Sequence, residues 1–125
     1  MDSKTQELLD RTFGFGVAVL RFLMTLPSND GFRTASYQVA KASTSIGANY
    51  EEAQAAESKK DFVHKVGISL KEARESHYWL RVIHALLMDP MKQKTAEQLI
   101  REAAEYKQIF TSIKLSAQEN SKRKS

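Results

Sequence analysis

His64, His77 and His84 are the only imidazoles in a chain of 125 residues that has no cysteine. Thiol catalysis, thiolate metal sites and disulfides are therefore excluded together. A carboxylate-bridged di-metal site in a helical bundle needs Glu-x-x-His pairs, which aim a carboxylate and an imidazole inward from one face. Glu72 is followed at three by Glu75, Glu75 by Tyr78, and Glu102 by Glu105, so no such pair exists. No His-Glu-x-x-His zinc motif is present either. His77 and His84 lie seven apart in an apolar stripe, with His64 upstream, where an imidazole ordinarily packs with one nitrogen hydrogen-bonded. Gly14-Phe15-Gly16 opens like a dinucleotide fingerprint but lacks the third glycine and follows no strand. With no P-loop, nucleophile elbow or Ser/His/Asp arrangement, no catalytic, cofactor-binding or metal-ligating residue is assigned. The expectation is a protein that is not an enzyme and carries no cofactor.

Charged and polar side chains offer a different chemistry. Asn49, Glu51 and Glu52 stand close in sequence, as do Lys65, Lys71, Glu72 and Glu75. Asn49 and Glu52 share a helical face, and so do Glu72 and Glu75. These residues flank apolar stripes, where side chains of two helices or two subunits can meet. Solvated ion pairs there contribute about 0.5 kcal/mol each. A partly desolvated network would fix register instead. Lysines supply candidate nucleic-acid contacts: Lys59 and Lys60 at one bundle end, Lys92 and Lys94 at the other, and Lys122, Arg123 and Lys124 in the tail.

Four helical segments are expected to position these groups. The first spans about Lys4–Leu26, with Ser3 a possible N-cap, and stops at Pro27-Ser28-Asn29-Asp30-Gly31. The second spans Phe32–Ala56, where Ala35, Val39, Ala42, Ile46, Tyr50 and Ala53 step by threes and fours. The third opens at Ser58, with Asp61 as capping partner, and ends at Asp89-Pro90. The fourth opens at Thr95 with Gln98 and carries Leu99, Ala103, Tyr106, Phe110, Ile113 and Ala117. An average apolar period of 3.5 and short connections predict an all-α, antiparallel, up-down-up-down four-helix bundle over residues 1–120. Residues 121–125 are read as a basic disordered tail.

Composition sets the class. Apolar residues make up 42% and charged residues 27%, as in ordinary globular chains. The most apolar stretch, Thr12 to Leu26, is broken by Arg21 and is shorter than the ~20 residues of a membrane span. A cytoplasmic protein with no membrane partner is expected. The net charge of +4 is unevenly placed. Residues 1–57 hold five Lys/Arg against seven Asp/Glu, and residues 58–125 hold fourteen against eight. That polarity suits an anionic partner.

The first segment is apolar on two faces: Leu9, Phe13, Val17, Leu20 and Met24 on one, Phe15, Val19, Phe22 and Leu26 on the other. The second presents Ser36, Ala40, Ser43 and Gly47, a small-residue row that admits a close helix. Together they predict a homo-oligomer. The face carrying Phe15, Val19 and Phe22 is the expected interface. A central position for this helix in a monomer would account for the same pattern.

The run Ser45-Ile46-Gly47-Ala48-Asn49-Tyr50-Glu51-Glu52-Ala53 is followed by Ser58, Asp61-Phe62, Lys65, Ile68, Leu70-Lys71-Glu72-Ala73, Glu75 and Tyr78-Trp79-Leu80. With Phe32, Gln38 and Lys41 upstream, this ordered set resembles the bacterial four-helix-bundle proteins first noticed in intervening sequences of 23S ribosomal RNA genes. The resemblance covers residues 32–87 and implies a cytoplasmic bundle that assembles as a homopentamer. One branch is similar to the accessory proteins of diversity-generating retroelements, which look like basic pentamers that bind nucleic acid and a reverse transcriptase. The milder basicity here departs from that branch. Within the family pattern, Asn49, Glu52, Lys65, Lys71, Glu72 and Glu75 are the polar set.

Two functions follow as expectations: a non-enzymatic oligomeric module with RNA or a nucleoprotein as ligand, or a protein-binding scaffold with no nucleic-acid role. A small-molecule or metal-binding bundle using the histidines stands third.

Overall fold

The computed structural model describes the backbone of residues 2–124 and the side chains of residues 2–120. It is all-α: α1 (Ser3–Leu23), α2 (Asp30–Ala53), α3 (Lys59–Leu86) and α4 (Pro90–Lys124). Local chemistry sets each start. Asp2, not Ser3, caps α1 and accepts from the Thr5 N–H at 2.8 Å. Asn29 caps α2 through the Phe32 N–H at 3.1 Å, so α2 begins two residues before the expected Phe32. Ser58 caps α3 as expected, accepting from the Asp61 N–H at 3.0 Å.

The fourth helix starts five residues earlier than expected. Asp89 accepts from the Met91 N–H at 2.8 Å, and Pro90 takes the first helical position. Proline fits there because it has no N–H to lose and its φ is already helical. Thr95 is an interior residue whose hydroxyl donates to the Met91 carbonyl at 3.3 Å. Three i→i+3 bonds, from the Gln54, Ala55 and Ala56 N–H groups, wind α2 to a stop before Ser58.

The helices pack as a ring of neighbours, α1 on α2, α2 on α3, α3 on α4 and α4 on α1. The diagonal backbones do not approach, so side chains fill the centre. Val39, Ile46, Val66, Leu80, Ile83, Tyr106 and Phe110 are fully buried there. Aromatic edges close the middle, with Phe15–Tyr106 centroids at 5.2 Å and Tyr50–Phe110 at 5.3 Å. The predicted α2 stripe is buried at every position.

The small-residue row is used within the chain. A Cβ on Gly47 would stand 3.1 Å from Thr12 Oγ1 and 3.3 Å from the Thr12 carbonyl carbon, so α1 crosses α2 at near backbone contact. That crossing decides which face of α1 turns inward. Phe15, Val19 and Phe22 are in the protein's own core, with Val19 at 0% exposure. They are not an intersubunit face, contrary to the sequence expectation. Phe13, Leu20 and Met24, at 73%, 38% and 84% exposure, are the residues left outside.

Candidate interaction surfaces

The polar set divides along the outside of α2 and α3. Lys65 Nζ reaches Glu52 Oε2 at 3.1 Å, tying the two helices. Asn49 turns inward on its own helix and donates from Nδ2 to the Ser45 carbonyl at 2.9 Å. Further along, Glu72 is half-buried, and desolvation followed by the nearby Glu75 raises its carboxyl above the usual value. Lys71 and Lys41 partly offset this. Beneath the seam, the buried Ser69 hydroxyl donates to the Ile46 carbonyl at 2.8 Å. Glu52 and Lys65 therefore pair across the helices, Lys71, Glu72 and Glu75 form a second group, and Asn49 joins neither.

A stronger polar cluster lies between α1 and α4, and sequence reasoning passed over it. Arg11 forks onto Glu102 through Nε and Nη2, both at 2.7 Å, and also pairs with Glu105. The guanidinium stands 5.2 Å from the Tyr106 ring centroid. The Tyr106 hydroxyl donates to Glu102 Oε2 at 2.6 Å, with the Arg11 carbonyl 3.0 Å away. The hydrogen bond from Arg11 holds the Glu102 carboxyl below its ordinary value. Burial, then Glu102, pushes the Tyr106 phenol well up. The signal in the sequence is Glu102-x-x-Glu105-Tyr106, two carboxylates and a phenol on one face.

The histidines are dispersed. His84 Nε2 lies 2.8 Å from Glu97 Oε2, and His77 Nδ1 lies 3.5 Å from Lys107 Nζ. Burial, then the Lys107 and Arg81 charges, lowers the His77 pKa. His64 is exposed. Among the described residues no three His, Asp or Glu side chains come together as a metal-binding group.

The candidate nucleic-acid lysines do not share one surface. Lys59 and Lys60 open α3, both exposed, and Lys59 borders a cleft of about 660 Å³ between the α2–α3 turn and the last turns of α4. Lys92 and Lys94 lie at the opposite end, on the first turns of α4. Lys92 is committed elsewhere: its Nζ donates to the Thr25 carbonyl at 2.6 Å and caps the end of α1. Lys94 is exposed. The side chains of Lys122, Arg123 and Lys124, and the expected tail with its boundary at residue 120, lie outside the described residues, while the α4 backbone is helical to Lys124.

An apolar surface follows the outside of α1 and α2. Phe13, Val17 and Leu20 face Thr44, Gly47 and Ala48 across a groove of about 530 Å³. Asp10 and Glu51 stand at one end of it. No helix among the described residues is long and apolar enough to cross a membrane.

The fold and these surfaces define a class: four packed helices with a polar seam, an ion-paired clamp and an exposed apolar helix face. The chain belongs to the 23S rRNA-intervening sequence protein family, whose model matches residues 4–112. It is also similar to a crystal structure of a protein with unknown function from the S23 ribosomal protein family of Bacteroides thetaiotaomicron. The two share 30% identity and superpose with a TM-score of 0.74, over 85% of this chain and 96% of that one. A search of the curated proteins gives no match.

Proposed function

We propose that this chain is a non-enzymatic, cytoplasmic interaction module that works as a homo-oligomer. Its bundle runs up-down-up-down. In support, Thr12 meets Gly47, Ile46 meets Ser69, Gly67 lies nearest Lys114, and Thr25 and Arg11 meet Lys92 and Glu102. Residue numbers rise along one partner as they fall along the next.

The observation that carries self-assembly is the exposed stripe of Phe13, Leu20 and Met24 on α1. Full burial of such side chains is worth about 1.5–3 kcal/mol each, and a contiguous patch of them is uncommon on a monomer. The family resemblance implies five copies. Light scattering coupled to gel filtration should therefore give a mass near five times 14.2 kDa. A single-chain mass across a hundredfold dilution series would refute self-assembly. A dimer would refute the pentamer and leave the burial argument standing.

The second reading adds RNA or a nucleoprotein as ligand. It is favoured by Lys59 and Lys60, exposed side by side where α3 begins, in the half of the chain that carries net positive charge. Such binding is electrostatic and weakens steeply with salt. Lys59→Glu with Lys60→Glu should lower RNA affinity and flatten its salt dependence, and so should removal of residues 121–125. RNA that fails to bind at low salt would leave the protein-scaffold reading alone.

A further inference from the structure

The groove outside α1 and α2 has a direction. At the end nearer the start of α1 it is acidic, with Asp10 on α1 and Glu51 on α2, both exposed. Neither carboxylate has a cationic partner among the described residues. Asp10 accepts only from the Gln6 amide, at 3.0 Å. Past this end the α1 face turns apolar through Phe13, Val17, Leu20 and Met24.

An outer stripe on α3 repeats that order with the opposite charge. Arg74 comes first, followed at steps of four by Tyr78, Val82 and Leu86. Tyr78 is 54% exposed and Leu86 44%. Arg74 has no ion-pair or hydrogen-bond partner among the described residues. Glu75 stands near Glu72, the carboxylate of this helix whose raised pKa Lys41 of α2 partly offsets. The lengths agree as well: Asp10 to Met24 spans about 21 Å of helix, and Arg74 to Leu86 about 18 Å.

We infer that the occupant of the α1–α2 groove is the outer stripe of α3 from a second copy of this chain, with Tyr78 beside Phe13 and Val17 and Arg74 facing Asp10 and Glu51. This rests on the self-assembly reading and adds what covers the apolar face. Within one copy α1 and α3 are diagonal, their backbones do not approach, and no α3 residue lines the groove, so the chain does not fill it with its own stripe. The contact is head-to-tail: each copy offers one groove and one stripe, and a closed ring leaves neither unpaired. The two stripes run in the same sense, so neighbours are related by rotation about an axis along the bundle. The opposed charges at one end fix that sense.

The absence of native cysteine makes the test clean. Chains carrying Phe13→Cys are mixed with chains carrying Tyr78→Cys and oxidised. Both positions are exposed, so the fold tolerates the change. A disulfide-linked dimer is expected in the mixture and in neither variant alone. Cross-linking of Phe13→Cys chains to one another would overturn the inference, because it would make the contact two-fold. A charge swap tests the same contact with its apolar side chains intact. Arg74→Glu should lower the mass in light scattering, and adding Asp10→Lys with Glu51→Lys should restore it. A wild-type oligomer that shows neither the mixed cross-link nor the charge rescue overturns this contact alone. A wild-type chain that is monomeric at every concentration overturns the self-assembly reading as well.

Discussion

Tyr106 joins the apolar and ionic parts of the bundle. Its ring is fully buried against Phe15 and Phe110, while its hydroxyl reaches the Glu102 carboxylate that Arg11 holds. Hydrogen bonds to charged groups are worth about 1.5–3 kcal/mol, so Tyr106→Phe should lower unfolding free energy by that amount in urea at neutral pH. The pH dependence follows from Glu102, whose carboxyl is depressed by the hydrogen bond from Arg11 first and, against the opposing effect of burial, by that from Tyr106. A depressed carboxyl contributes stability above its unfolded value and loses it as pH falls through the folded one. The cost of Tyr106→Phe should therefore shrink on the acid side of the ordinary carboxylate range. An equal cost at neutral and strongly acid pH would mean that the hydroxyl bond contributes nothing. The sequence placed Tyr106 in the core through its spacing with Ala103 and Phe110. It could not supply the hydroxyl's partners, because Arg11 lies 95 residues away and nothing local marks it.

Helix positions were legible because apolar spacing reports a buried face directly, as Ala35 to Ala53 do along α2. Helix ends were harder to read. Asp89-Pro90 reads in sequence as the stop of the third helix, yet the same pair starts α4, since an Asp before a first-position proline is also a cap. The closeness of α1 to α2 was legible only as a row of small residues, with no indication of which partner it admits. Glycine substitutions measure that closeness. A Cβ on Gly14 meets nothing within 4 Å, so Gly14→Ala should gain the helix preference of alanine, about 0.8–1.0 kcal/mol. At Gly47 the new methyl would press on the Thr12 backbone, and α1 must yield by a few tenths of an ångström. Gly47→Ala should therefore gain clearly less than Gly14→Ala, or lose stability. Equal gains in thermal melts would show that α1 shifts without cost.

For the molecule as a whole, two apolar faces on one helix posed a question that periodicity does not answer. A helix apolar all round shows that both faces need cover, not which face the chain itself covers. The Thr12–Gly47 crossing settles it by turning Val19 inward and Phe13 outward. A charge on each face then separates folding from assembly. Val19 is inaccessible to solvent, and a buried unpaired carboxylate costs several kcal/mol, a large share of a small domain's stability. Val19→Glu should lose the cooperative thermal transition. Phe13 already stands in water in the single chain, so Phe13→Glu should keep both the helical circular dichroism and the melting transition. It should nonetheless lower the mass in light scattering toward one chain, because it places a carboxylate next to Asp10 and Glu51 in the groove that a neighbour must enter. A Phe13→Glu protein that keeps the wild-type mass would remove α1 from the interface, and one that unfolds would make Phe13 part of the core.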